Sequence, residues 1–242
     1  MINVVDLVNR YVAVWNEPNA DERRKRIRSV WAPDGTTCYR LLDARGYEAI
    51  EARVTGSWDK WLREGKYIFQ PKQDVACHHD VVRLNFEMVT VPDGKVEARG
   101  LTFLILNSDG YIQHDYQFNP TADDAQELLE RYLAVWNEPN TEARHERIAA
   151  LWASDGAYIS ETSVRNGQSA LEVEAAEGYQ SHFAQGLVFS SASLSQRHHH
   201  LARLRWCMRG KDSGEVKGAG SDLLILDDRG RIRFDYRFQE VV

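Results

Sequence analysis

The segment YVAVWNEPN at Tyr11–Asn19 recurs as YLAVWNEPN at Tyr132–Asn140, with Val12 against Leu133 as the one difference. Chance does not supply such a match at a spacing of 121 residues. The period is also too long for solenoid units, which run roughly 20–50 residues and cannot bury a core alone. Outward from this segment the register continues. Trp31-Ala-Pro-Asp-Gly35 falls on Trp152-Ala-Ser-Asp-Gly156, and Gly46 falls on Gly167. One deletion then changes the offset to 120, after which His78-His79 meets His198-His199 and Gly100 meets Gly220. Leu104-Ile-Leu106 meets Leu224-Ile-Leu226, and Asp115-Tyr116 with Phe118 meets Asp235-Tyr236 with Phe238. The chain therefore reads as two domains, residues 1–119 and 122–242, joined near Asn119 to Asp123. A duplicated domain commonly reproduces the self-complementary interface of a symmetric dimer. The expectation is an internal pseudo-dimer whose halves pack on each other, either standing alone or forming a further homodimer.

Within each copy the hydrophobic period changes once. Val4, Leu7, Val8, Tyr11, Val12 and Trp15 recur at three- and four-residue steps, as do Ala125, Leu128, Leu129, Tyr132, Leu133 and Trp136, so each copy opens on an amphipathic helix. The first of these is read as a helix and not a leader, because Asp6, Asn9 and Arg10 interrupt it at helical spacing. Thr121 is the expected cap of its counterpart. Pro18 and Pro139 turn the chain into a second helix, expected to end at a Trp-Ala-x-Asp-Gly turn, and a third follows Gly46 or Gly167. Beyond it Val82, Leu84, Phe86 and Met88 alternate with Arg83, Asn85 and Glu87, the pattern of a half-buried antiparallel strand, repeated by Ala202, Leu204, Trp206 and Met208. Pro92-Asp-Gly94, Asn107-Ser-Asp-Gly110 and Asp227-Asp-Arg-Gly230 are turn signals between strands. The fold class expected is α+β, three helices packed on one face of a curved antiparallel sheet, twice.

Composition narrows the function. The chain has 43% hydrophobic and 27% charged residues with no apolar run long enough to span a bilayer, so it reads as a soluble globular protein. A net charge of −6 offers no surplus to neutralise phosphates, which argues against a nucleic-acid partner. The one basic run, Arg23–Arg28, reads as a solvated helix face. Cys38, Cys77 and Cys207 are odd in number and none recurs between the copies, which fits reduced thiols in a cytoplasmic protein. No phosphate-binding loop, dinucleotide fingerprint, nucleophile elbow or paired CxxC is present, so no cofactor is expected.

The element order, together with RYVAVWN and WAPDG, resembles the nuclear transport factor 2-like superfamily, which includes SnoaL-like and ketosteroid isomerase-like proteins. That resemblance implies a cone-shaped pocket in each copy. It also implies roles for particular residues. Tyr11 and Tyr132 match the tyrosine that donates to an enolate oxygen in the isomerases, or else serve as core aromatics. The isomerases' aspartate base falls here on Tyr39 and Ser160, so that base is absent from both copies. A second donor, a protonated aspartic acid, falls on Thr102 and Asp222, so the second copy alone keeps both donors.

The histidine clusters precede matched strands. His78 and Asp80 would share one strand face, and His198 and His200 another. They either close strand ends or an interdomain surface, supply an oriented general base, or bind a metal, for which no third ligand is near. Asp115 and Asp235, with Arg233 and Arg237, read as a surface or interdomain salt-bridge ladder. The expected function is binding of a small apolar or aromatic molecule, with cofactor-free acid–base isomerisation, cyclisation or dehydration, or else a carrier or adaptor role. As an enzyme it would use Tyr132 and Asp222 as donors and His198 or His200 as base. Tyr11, Tyr39, His78, Asp80, Thr102 and Ser160 complete the candidate pocket residues, and the first copy would be degenerate or structural.

Overall fold

The apolar stripe of the first repeat winds into α1 (Val4–Asn16), opened by Asn3, whose side chain accepts from the Asp6 amide. Asn19 caps α2 (Ala20–Val30) by accepting from the amides of Asp21 and Glu22. These elements come from a computed structural model that describes residues 3–39, 42–118, 125–193, 195–198 and 200–240, the side chain of His198 excepted. The expected junction near 119–123 and the Thr121 cap lie outside the described residues. By residue contacts the chain divides into two compact units, Met1–Pro120 and Thr121–Val242.

Where WAPDG suggested a turn, the chain passes directly into β1 (Trp31–Tyr39). Trp31 is fully buried there and holds the strand on the core. The pairing shifts register between Trp31 and Thr36. Gly35 sits in this irregularity so close to the next strand that a Cβ would lie 2.9 Å from the Ile112 carbonyl oxygen, which explains the glycine. There follow β2 (Leu42–Arg45), α3 (Gly46–Trp61), β3 (Tyr67–Pro71), β4 (Ala76–His78), β5 (Val81–Thr90), β6 (Val96–Leu106) and β7 (Ile112–Phe118). Gly46 opens α3 with φ of 77°, a conformation that side-chain-bearing residues rarely adopt.

The strand order is β2-β1-β7-β6-β5-β3, with β4 also on β5. The sheet is mixed, not wholly antiparallel as the alternation suggested, because β1 runs parallel to β7. The first strand leaves the sheet through β2 and α3, and the chain returns beside it only at its last strand; a parallel pair needs such a long connection.

The second repeat has the same order: α4 (Gln126–Trp136), α5 (Thr141–Leu151), β8 (Trp152–Ile159), β9 (Val164–Asn166), α6 (Gln168–Ala184), β10 (Leu187–Ser191), β11 (Gln196–His198), β12 (Leu201–Gly210), β13 (Val216–Leu226) and β14 (Ile232–Glu240). Its sheet is again mixed, with β14 parallel to β8. Among the described residues no helix is long and apolar enough to cross a membrane.

The repeated WNEPN segment ties three elements together. Asn16 donates from Nδ2 to the Phe69 carbonyl at 2.7 Å and accepts the Phe69 amide at 2.9 Å, clipping the end of α1 to β3. Asn137 does the same to Phe189 at 2.8 and 2.9 Å. Glu17 accepts from the Asn19 amide and pairs with Arg26 at 2.9 Å. Arg23 corrects the reading of the basic run as solvated: it is buried, with Nη1 donating to the Glu17 carbonyl at 2.7 Å, and Arg144 repeats this toward Glu138 at 2.8 Å.

Candidate functional site

In the first repeat, α1 and the end of β7 converge on a buried carboxylate. Asp115 is fully buried, and its Oδ2 accepts from Tyr11 Oη at 3.0 Å, Thr37 Oγ1 at 2.9 Å and Gln117 Nε2 at 2.9 Å. Its Oδ1 is buried without a hydrogen-bond partner among the described residues. Burial raises the Asp115 carboxyl to about 6, and the three donors hold it from going higher. Burial and the neighbouring Asp115 push the Tyr11 phenol well above its ordinary value, so it stays protonated. This corrects the reading of Asp115 as part of a surface or interdomain ladder. β7 is buried on both faces, and the side of Asp115 and Gln117 is the one facing α1.

Above this floor opens a cavity of about 810 Å³. Trp15, Tyr39, Trp61, Phe69 and Phe86 form its aromatic walls, and Tyr11 and Gln117 reach it from the floor. Phe86 lies flat over β6 because its cross-strand partner is Gly100, where a Cβ would come within 2.2 Å of the ring. Arg53 projects into the cavity from α3. Its guanidinium stands 5.1 Å from the Trp15 ring and 5.0 Å from the Tyr39 ring, and its Nη2 donates to Gln117 Oε1 at 3.2 Å.

The matched space in the second repeat is filled. Its cavity measures about 160 Å³. At three matched positions a larger side chain stands there, with Tyr158 for Thr37, Trp206 for Phe86 and Arg237 for Gln117. Arg237 lies 4.1 Å from the Trp136 ring, 4.9 Å from Trp206 and 5.2 Å from Tyr158, and donates from Nη2 to Tyr132 Oη at 2.8 Å. Its Nε donates to Asp222 Oδ1 at 3.2 Å, both groups being buried. Tyr132 in turn donates to Asp235 Oδ2 at 2.8 Å. Burial works against the charge on Arg237, but Asp222 and the surrounding phenols raise its pKa well above the ordinary value. Burial and the charge of Asp222 raise Asp235.

The expected residues therefore divide. Tyr11 and Tyr39 line the large cavity, and Ser160 lines the small one. Thr102 is fully buried on β6 opposite Gln117. Asp222, expected as a protonated donor, instead accepts from Arg237 as its ion-pair partner, because the arginine occupies the space a ligand would need. Arg237, read as part of a surface or interdomain ladder with Asp235, is buried inside the second cone. His78 is buried at the end of β4, Asp80 and His200 are exposed in the turns that follow β4 and β11, and none of the three lines either of these two cavities. The side chain of His198 lies outside the described residues. The Asp80 and His200 carbonyls accept from the Leu106 and Leu226 amides at 2.7 and 2.6 Å, so the described part of this motif secures a strand turn. The open cavity lies in the first repeat, against the expectation that placed the site in the second.

No family model and no curated protein matches the chain. Solved structures similar to it are SnoaL-like, nuclear transport factor 2-like and ketosteroid isomerase-like proteins, each matching about half of the chain. A SnoaL-like family protein from Agrobacterium tumefaciens is 24% identical over 48% of this chain and 97% of its own, with a TM-score of 0.44. A nuclear transport factor 2-like protein of unknown function from Cytophaga hutchinsonii is 13% identical over 50% of this chain and 94% of its own, TM-score 0.35. A protein of ketosteroid isomerase-like fold from Catenulispora acidiphila, solved in complex with trimethylamine, is 15% identical over 47% and 85%, TM-score 0.36.

Proposed function

We propose that the chain is a small-molecule-binding protein of the SnoaL-like type, in which the first repeat takes an apolar or aromatic ligand and the second is a folded scaffold. The observation that carries this reading is the contrast between a cavity of about 810 Å³ and one of about 160 Å³ at matched positions. The larger is within the range of sites that enclose drug-sized molecules, roughly 300–1,000 Å³. Aromatic walls with a few convergent polar groups, here Tyr11, Gln117 and Arg53, support the same conclusion. The three free cysteines support a reducing, cytoplasmic setting.

A second reading, cofactor-free acid–base chemistry, is favoured by one feature. Asp115, raised to about 6 with one oxygen unpartnered, is hydrogen-bonded to a tyrosine that lines the cavity. In that reading Tyr11 passes a proton between ligand and Asp115, a role matched to a carboxyl near neutral pH.

The test is a thermal-shift screen of ketones, enones, epoxides and aromatic acids on the wild type and on Gly56→Phe. Gly56 lines the cavity, and a Cβ there meets nothing within 4 Å, so the added ring enters open space. Stabilisation by a compound that disappears in Gly56→Phe is expected. Stabilisation that survives would overturn the assignment to this cavity, and turnover unchanged in Tyr11→Phe would dismiss the acid–base reading.

A further inference from the structure

We infer that the ligand of the first cone carries an acidic group, a carboxylate on an aromatic or polycyclic body, and that Arg53 is the residue that receives it. This deepens, and rests on, the reading of that cone as a small-molecule site.

The two repeats balance charge differently. In the second, the position matching Arg53 is Glu174, which pairs with Arg165 at 2.8 Å, and the one arginine inside the cone, Arg237, pairs with Asp222. Every charge named there has a partner of opposite sign. In the first repeat the aspartate is Thr102, the arginine is Gln117, and the cation has moved to Arg53 on α3. Among the described residues no carboxylate lies within ion-pair distance of Arg53. Its Nη2 donates to the neutral Gln117, and its Nε is buried without an acceptor among the described residues. One of the five donors of this guanidinium, that of Nε, is thus withdrawn from solvent without a protein acceptor, and the half-buried side chain presents the others to the cavity.

The surrounding charges point the same way. Asp115 cannot reach Arg53 directly, since Gln117 stands between them, accepting from Arg53 and donating to Asp115. Lys60 and Arg99 also line the cavity, against Asp43 as the one carboxylate lining it, and Asp43 is exposed and accepts from the Cys38 thiol. Arg99 is committed to Glu87 at 3.1 Å. The second repeat shows what this type of cone does with a cation held between aromatic rings: it supplies a carboxylate in hydrogen-bond contact. In the first, the chain provides the cation and the rings, with Asp115 acting on the guanidinium only at a distance through Gln117, and the place of a carboxylate in direct contact is open to the ligand. A carboxylate suits the flat donor edge of a guanidinium, and Trp15 and Tyr39, on which Arg53 stacks, extend that plane into the aromatic walls.

The test uses two dyes that differ by one anionic group, 1-anilinonaphthalene-8-sulfonate and neutral N-phenyl-1-naphthylamine, titrated by fluorescence. The protein is the full chain, as wild type, Arg53→Gln, Arg53→Lys and Gly56→Phe. Losing one charge-assisted contact is expected to weaken the sulfonate dye roughly tenfold or more in Arg53→Gln, with partial recovery in Arg53→Lys, while the neutral dye changes by less than about threefold. Gly56→Phe is expected to abolish binding of both. If Gly56→Phe abolishes binding but Arg53→Gln affects the two dyes alike, the anionic-ligand inference is overturned and the cavity assignment stands. If both dyes bind Gly56→Phe undiminished, the cavity assignment itself is overturned.

Discussion

Arg237 and Asp222 stand directly across β14 and β13 from each other, with Nε 3.2 Å from Oδ1, in the place that Gln117 and Thr102 occupy in the first repeat. One cross-strand pair thus differs as a unit between the two repeats, and with it the state of the cone. The ionic pair and its aromatic surround fill the second; the neutral pair leaves the first open.

Breaking this pair is expected to be worse than exchanging it. Arg237→Gln alone leaves a buried carboxylate without its partner, at a cost of about 3–5 kcal/mol. The double variant Arg237→Gln with Asp222→Thr reproduces the first repeat's pair and is expected to regain at least about 1 kcal/mol of that loss. Urea unfolding of the wild type, both single variants and the double closes the cycle. Costs that simply add would mean that the two side chains do not act as a pair.

Asp115 sets a pH dependence whose sign follows from its shift. Its carboxyl is raised from 3.8 to about 6, so between those values the folded state binds more protons than the unfolded state. The stability that the neutral acid contributes is therefore full below about pH 4, declines as pH rises through about 6, and is flat above. At roughly 1.4 kcal/mol for each pH unit, the decline is about 3 kcal/mol. Asp115→Asn should remove that decline, read as the difference between variant and wild type in urea unfolding from pH 4 to 7. An unchanged difference across that range would contradict the buried, raised carboxyl.

Much of this was legible in the sequence, and the reasons for the rest are physical. The duplication, the order of the helices and the later strands follow from a period of 121 and from hydrophobic spacing, whereas β1 and β2, which come between α2 and α3, do not, because WAPDG reads as a turn. The parallel pairing of β1 with β7 does not, because alternation along a strand carries no information about its neighbour. The resemblance points to Tyr11 and Tyr39, and both line the larger cavity. Asp115 and Arg237 read as a surface or interdomain ladder because charged residues on a strand usually face water; here Asp115–Phe118 of β7 and Asp235–Phe238 of β14 are buried on both faces, and that rule has nothing to act on. Arg53 went unnoticed, since one arginine on a helix gives no periodic signal. The differences between repeats were the available clue: Thr102 to Asp222 and Gln117 to Arg237 change together, on strands that the hairpin signal already paired.

The glycines beneath the aromatic rings should not tolerate alanine equally. At Gly100 the three atoms nearest to a Cβ all belong to the Phe86 ring, which lines the open cavity and has room to swing into it. At Gly220 it meets the Trp206 ring at 2.2 Å and the Phe238 carbonyl oxygen at 2.5 Å, and Trp206 is held against Arg237. Gly220→Ala is expected to cost about 1–3 kcal/mol and Gly100→Ala less, though the latter should weaken ligand binding by shrinking the cavity. Thermal unfolding and dye titration read the two effects; an equal loss of stability at both sites would contradict a filled second cone and an open first one.

Asn16 and Asn137 make the same two hydrogen bonds to strand backbone in both repeats. Replacing either with alanine leaves a strand amide and carbonyl unpaired beside the core, at about 1–3 kcal/mol. Chemical denaturation should show similar losses for the two. A loss at Asn16 alone, accompanied by lost binding, would assign that residue to the ligand instead of to the clip.

The most direct measurement is the number of N-phenyl-1-naphthylamine molecules bound per chain, by continuous-variation fluorescence with the wild type and a fourfold variant that gives the second repeat the first repeat's residues, Tyr158→Thr, Trp206→Phe, Asp222→Thr and Arg237→Gln. One molecule per wild-type chain and two per fourfold-variant chain is the expected result, since the exchange removes the larger side chains that fill the second cone. Two molecules per wild-type chain, or none, would contradict a single open cone in the first repeat.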